Sequence, residues 1–132
     1  MVTQYARQYE QTQVVTSSGV QLIVLLYDAA IQSMELARRE IQAKNVREKA
    51  RHIGRAMAIV GELNSVLDLE QGGEIARSLR RLYDYMLMEL VEANARNNEQ
   101  KLDAPLRCLS TLREAWREVA AQQQQGRLVG AR

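Results

Sequence analysis

Side chains able to carry out a reaction are sparse in this chain, and their spacing limits what they can do. There is one histidine, His52, and one cysteine, Cys108, in 132 residues. Acid–base catalysis draws first on histidine and on positioned carboxylates, and His52 has no second histidine to work with. A di-iron helical bundle needs Glu-x-x-His on two helices, and that spacing does not occur. Cys108 lacks the companions of a zinc site. A single cysteine also excludes an internal disulfide and suits a reducing compartment. Gly72-Gly73 lacks the lysine and the preceding strand of a phosphate-cradling loop. The expectation is no catalytic residue, no cofactor and no metal: not an enzyme. His52 then reads as a surface or half-buried helix residue, and Cys108 as a small core residue.

Arginine is the remaining chemistry. Arg47, Arg51 and Arg55 recur at i, i+4, i+8, and Arg77, Arg80 and Arg81 open a later segment. In an antiparallel helix pair these two starts lie ~30 Å apart at 1.5 Å per residue, so they do not merge into one footprint. Glu48 and Glu74 sit among them, stacking aromatics are missing, and the net charge is only +2. A solvated charged face is the better reading than nucleic-acid binding.

What the sequence holds in excess is apolar surface. Ten of the twelve residues from Val20 to Ile31 are apolar or aromatic, where a bundle helix needs only three or four per two turns. Ile23, Leu26, Ala30, Met34, Ala37 and Ile41 form one inward stripe. Leu22, Leu25 and Ala29 form a second, and Val20, Val24, Tyr27 and Ile31 a third. The helix is apolar nearly all round. Either it is the central helix, covered by its neighbours, or part of its surface is a groove for apolar segments of a partner. The polar segment before it, with Tyr5, Tyr9, Val14 and Val15, suits a removable cover that reconciles the two.

The elements that position these residues follow from periodicity. Residues 2–13 could form a short helix with Tyr5 and Tyr9 on one edge. A helix over about 18–43 starts after the capping residues Thr16-Ser17-Ser18 and closes at Lys44-Asn45. A second fits about 46–69, with Ile53, Ala56, Met57, Val60, Leu63 and Leu67 inward, ended by Glu70-Gln71-Gly72-Gly73. A third fits about 74–96, with Ile75, Leu79, Leu82, Tyr83, Met86, Leu90 and Ala93 inward. The fourth begins near Leu102, tolerates Pro105 in its first turn, and runs through Leu109, Leu112, Trp116 and Val119 to Gln125. Short connections make neighbours antiparallel. The expected fold is all-α, an up-down four-helix bundle with a short N-terminal cap segment: one domain over 1–125 and a flexible tail over 126–132. Apolar residues are 46% and charged ones 26%, ordinary for a globular domain. Met1 to Gln13 is too polar for a signal peptide, and Val20–Ile31 too short to span a bilayer. A cytoplasmic protein without membrane insertion is expected.

An ordered set of residues then resembles a known family. Tyr9, Gln13-Val14-Val15-Thr16-Ser17-Ser18, Leu22 and Leu25-Leu26-Tyr27-Asp28-Ala29-Ala30 are similar to the opening of the flagellar secretion chaperones of FliS type. Further on, Glu62-Leu63-Asn64, Leu67-Asp68, Gly72-Gly73-Glu74-Ile75-Ala76, Leu79, Leu82-Tyr83-Asp84-Tyr85-Met86 and Ala93-Asn94 match, as do Leu109, Leu112 and Trp116 in the last helix. The resemblance covers residues 3–120. Two departures stand out: Ser18-Gly19 replaces the common Ser-Pro helix start, and Ala29 stands where Gly is usual.

The resemblance implies a bacterial cytosolic chaperone that binds the disordered C-terminal segment of flagellin, 1:1. It would prevent premature polymerisation and support delivery to the flagellar type III export apparatus. Export-gate components and flagellar regulators are left open as further partners. The residues it links to the partner are Tyr5 or Tyr9, Val14 and the run Leu25, Leu26, Tyr27 and Asp28; Val15, Leu22 and Ile31, with Tyr83, Met86, Leu87 and Leu90 on the third helix, complete the expected partner-binding set. Two other readings rest on the residues alone: an adaptor bundle that oligomerises through the apolar helix, and a basic nucleic-acid binder.

Overall fold

A computed structural model describes residues 17–130, and side chains over 19–125; Tyr5, Tyr9, Val14 and Val15, with the expected cap segment, lie outside the described residues. Four helices succeed one another: α1 (Ser17–Gln42), α2 (Val46–Ser65), α3 (Leu69–Arg96) and α4 (Asp103–Gly130), with a 3-10 turn at Glu99–Leu102 before α4. No strand occurs among the described residues. The fold is the expected all-α bundle. Around it, α1 packs on α2 and α4, α3 packs on α2 and more loosely on α4, and α1 lies diagonally across from α3. Two ion pairs fix the α1–α4 register. Arg38 pairs with Asp103 at 2.6 Å and Asp28 with Arg113 at 3.0 Å, the second pair ten residues further down one helix and ten further up the other. That is antiparallel packing.

Both turns at one end of the bundle are closed by residues in the left-handed conformation. Lys44 has φ 61° and Asn97 φ 52°. The residue after each returns a backbone bond to the helix just ended, Asn45 N to Glu40 O at 2.9 Å and Asn98 N to Ala93 O at 3.1 Å. These bonds satisfy carbonyls that a helix end leaves open. The same two asparagines then cap the next helical turns, Asn45 accepting from the Glu48 amide at 3.3 Å and Asn98 from the Gln100 amide at 3.0 Å. Lys49, only 4% exposed, reaches across from α2 and donates to Asn94 O of α3 at 2.9 Å. The third helix ends at Arg96, as expected from Asn97-Asn98, and the left-handed Asn97 is the physical reason.

At the other end the boundary between α2 and α3 differs from expectation. The second helix ends at Ser65, not about 69, because Asp68 caps a new helix by accepting from the Glu70 and Gln71 amides at 3.1 Å each. Residues 69–72 make a separate helical turn. Gly73, at φ 54° and ψ −133°, then redirects the chain into the main body of α3. Gly73 supplies a positive φ, as its type suggests, but in the entry to α3 rather than at the close of α2. The last helix runs to Gly130, past the Gly126 at which the sequence pattern stops.

The core corrects the inward stripes in several places. On α1 the fully buried residues are Val20, Tyr27, Ala30, Met34 and Ala37, with Ile41 nearly so, while Ile23 and Leu26 are half-buried flanks. Periodicity puts Val20 and Tyr27 on a third, outer stripe. Tyr27 is drawn inward by a partner that periodicity does not show: its hydroxyl meets the Tyr83 hydroxyl at 2.5 Å across the bundle diagonal. On α2, Ile53, Ala56, Val60 and Leu63 are buried as expected, Met57 and Leu67 only in part. On α3, Leu79, Tyr83, Met86, Leu90 and Ala93 are buried and Ile75 partly so. Leu82 is 37% exposed, because the looser α3–α4 seam leaves its side uncovered. On α4, Leu109, Leu112, Trp116 and Val119 are all buried. By length and composition Gly19–Gln42 is long and apolar enough to cross a membrane, contrary to the expectation from Val20–Ile31 alone. Its buried stripe is instead the core of this bundle.

Candidate functional site

The expected partner residues of α1 fall into three layers. Leu22 and Leu25 point outward, 56% and 62% exposed. Leu26 and Ile31 are half-buried against the core, and Tyr27 is fully buried. One helix thus feeds the core and still carries two leucines in water, as a helix apolar on all sides must. Leu25 also lines a cleft between α1 and α4 of about 340 Å³, with Val24, Gln21, Arg117 and Ala120 as its other walls.

Asp28 stands beside this cleft and holds it to α4. Its Oδ1 accepts from Arg113 at 3.0 Å and from Arg117 at 3.2 Å, and Arg117 also pairs with Glu114 at 2.8 Å. A carboxylate accepting from two guanidiniums on a neighbouring helix fixes both the spacing and the register of the two helices. Of the other cleft residues, Val24 falls on the third apolar stripe of the sequence, while Gln21, Arg117 and Ala120 are given no role there. Arg113 and Arg117, at i,i+4 on the last helix, were the available signal, since Asp28 is the acidic residue of the apolar run.

On α3 the four expected residues separate. Tyr83, Met86 and Leu90 are in the core and offer no accessible surface in this arrangement, while Leu87 is half-buried. The outward apolar residues of α3 are Leu82, Tyr85, Met88 and Val91. Sequence reasoning assigns Leu82 to the core and gives the other three no place in a binding surface. The structure does not bring the α1 and α3 residues into one patch. They occupy diagonal helices, joined through the bundle by the Tyr27–Tyr83 hydrogen bond.

The residues considered for chemistry are placed as structural groups. His52 is buried, more so than the surface or half-buried site expected, with Nε2 3.8 Å from Glu48. Arg51 donates twice to Glu48 Oε2, at 2.9 and 2.7 Å, which holds the Glu48 carboxyl below its usual range and the guanidinium above its own. Arg77 donates likewise to Glu74 Oε1, at 3.0 and 2.7 Å, and lowers that carboxyl. These are solvated helix-surface pairs, which contribute little to stability. Cys108 is half-buried at the α3–α4 seam, and burial raises its thiol above the ordinary value. Among the described residues no group of three His, Cys, Asp or Glu side chains could hold a metal ion.

Fold and surface together define a class: a four-helix bundle that keeps apolar side chains and clefts on its outside. The family model described as Flagellar protein FliS matches residues 1–123. The flagellar secretion chaperone FliS of Salmonella typhimurium is 36% identical over 117 residues, 88% of this chain and 87% of that protein. FliSB of Pseudomonas aeruginosa, also a flagellar secretion chaperone, is 37% identical over 114 residues, 83% and 90% of the two chains. The FliS chaperone of Bacillus subtilis is 28% identical over 119 residues, 90% and 88%. The chain belongs to the FliS family of flagellar secretion chaperones, a chaperone family and not an enzyme class.

Proposed function

We propose that this chaperone binds the disordered C-terminal segment of flagellin in the bacterial cytosol, one client per bundle, holds it from premature polymerisation and supports its delivery to the flagellar type III export apparatus. The observation that carries the reading is the pair of water-exposed leucines, Leu22 and Leu25, the second of which lines the α1–α4 cleft. A disordered client loses conformational freedom when it docks, so it needs a long apolar surface to bind usefully. Leu22, Leu25 and the cleft walls supply direct contacts. Leu26, Ile31 and Leu87 supply half-buried flanks, and Asp28 sets the cleft width through Arg113 and Arg117. Tyr27, Tyr83, Met86 and Leu90 support the surface from beneath. Tyr5, Tyr9, Val14 and Val15 are assigned to a cover that the client displaces. Nothing in this scheme consumes a nucleotide; release comes from competition at the export apparatus.

The test mixes purified protein with full-length flagellin and with flagellin lacking its C-terminal segment, and reads complex mass by light scattering. A 1:1 complex with the first and none with the second is expected. Binding that survives the deletion overturns the assignment. A chain that self-associates through Leu22 and Leu25 at micromolar concentration would favour the adaptor reading instead.

A further inference from the structure

A second cleft, between α3 and α4, lies apart from the α1 residues assigned above to flagellin. It measures about 530 Å³, and its apolar walls are Leu82 and Tyr85 of α3 facing Ala104, Cys108 and Leu112 of α4. It exists because α3 and α4 form the loosest of the bundle's four lateral seams. Its charged and phenolic groups are donors. Arg107 lines it and makes no ion pair among the described residues. Tyr85 is 48% exposed, and its hydroxyl is unbonded among the same residues. Arg81, four residues before Tyr85 and so on the same side of α3, donates to the Ser78 hydroxyl at 3.1 Å and pairs with no carboxylate among the described residues. No carboxylate lines the cleft. Acidic residues further along both helices are engaged elsewhere, Glu89 with Lys101 at 3.8 Å and Glu114 with Arg117 at 2.8 Å.

We propose that the α3–α4 cleft is a docking site for an acidic amphipathic segment of a second protein partner, held by its apolar side chains between Tyr85 and Leu112 and by its carboxylates on Arg107 and Arg81. The charge pattern selects the occupant. Guanidinium and phenol donors around an apolar floor match aliphatic side chains flanked by Asp or Glu. A second copy of this chain, of net charge +2, is the poorer match. The cleft lies on the opposite flank of α4 from the α1–α4 cleft, so the two can be filled together.

Cys108 reports on occupancy, being the chain's single cysteine and part of the wall. The experiment uses the full chain and two synthetic helical peptides with the same leucine stripe, one flanked by Glu and one by Lys. The rate of Cys108 modification by a soluble thiol reagent is read with each. At saturation the Glu peptide is expected to slow modification by about tenfold or more, a site nine-tenths occupied, and the Lys peptide to do so much less. Arg107→Glu should reverse that preference. Arg107→Ala should weaken the Glu peptide by up to about fivefold, the range of one partly screened ion pair. Arg107 is exposed, so both variants should fold, and circular dichroism checks this. Failure of the Glu peptide to protect, equal protection by both peptides, or indifference to Arg107→Glu overturns the proposal. So does protection that grows with the protein's own concentration without peptide, which assigns the cleft to a second copy. Protection by the flagellin C-terminal segment alone overturns the separate partner, placing the client in this cleft while leaving flagellin binding itself intact.

Discussion

Truncating the two outward leucines of α1 separates client binding from folding. Burying a whole leucine side chain is worth roughly 1.5–3 kcal/mol. Leu22 and Leu25 are 56% and 62% exposed in the free protein, so somewhat over half of that gain is still to be made when a client covers them. Alanine keeps only the first carbon. Each substitution should therefore cost about 1 kcal/mol of binding, about fivefold in Kd. The double variant Leu22→Ala/Leu25→Ala should lose up to about thirtyfold if the two effects add. The fold should hardly notice, since exposed helix substitutions away from special features usually move stability by less than about 0.5 kcal/mol. Titration calorimetry with flagellin gives the first quantity and urea denaturation the second. If the double variant binds within about twofold of the unmodified chain, the client does not sit on this face. If instead the stability falls by several kcal/mol, the leucines pack on the protein itself.

Three further outcomes are expected. Tyr27→Phe or Tyr83→Phe removes one end of the 2.5 Å hydroxyl pair and should cost about 1 kcal/mol in urea denaturation, with the double variant costing less than the sum of the two. Gly73→Ala places a side chain at φ 54°, ψ −133°, where nothing crowds the new carbon but the backbone itself resists, so a loss of about 1–3 kcal/mol is expected by the same measurement. Cys108 should react with a thiol reagent more slowly than free cysteine, its pH profile displaced upward, because burial raises its pKa. The folded state holds that proton more tightly than the unfolded chain does. The thiol therefore favours folding below its ordinary pKa, and that advantage drains away as pH rises through the raised value. A reaction profile centred at or below that of free cysteine would contradict the burial.

The helices themselves were legible because breakers and caps are few and in the expected places. Asn97 ends α3 by taking the left-handed conformation, and Pro105 falls in the first turn of α4, where its missing amide proton costs little. Gly73 misleads because a glycine that can end one helix can equally redirect the next, and only the Asp68 cap decides between them. The faces of α1 are the harder problem. With Val, Leu, Ile, Ala and Tyr on every side, 3.6-residue periodicity has nothing polar to set its phase, and Tyr27 reads outward although Tyr83 draws it in. Leu82 fails for a different reason: its burial depends on how closely α4 approaches, which no local pattern records. Of the two exposed leucines, Leu25 lies nearly opposite the line through Ala30, Met34 and Ala37, and Leu22 about a quarter turn from it.

The two ends of the bundle are not built alike. At one, the Lys44 and Asn97 turns, the Lys49 tie to Asn94 and the Arg38–Asp103 pair fasten all four helices within a few residues of one another. At the other stand Leu22, Leu25 and the redirected chain at Gly73. The layout is that of a clothes-peg, with its spring at the fastened end and its jaws at the leucines, where the Asp28 pairs with Arg113 and Arg117 hold them closed. Amide protons should exchange slowest around the spring and fastest at the jaws. On the proposed function, a client loads by a small spreading of α1 from α4 that breaks the Asp28 pairs with Arg113 and Arg117, while the fastened end keeps the bundle folded.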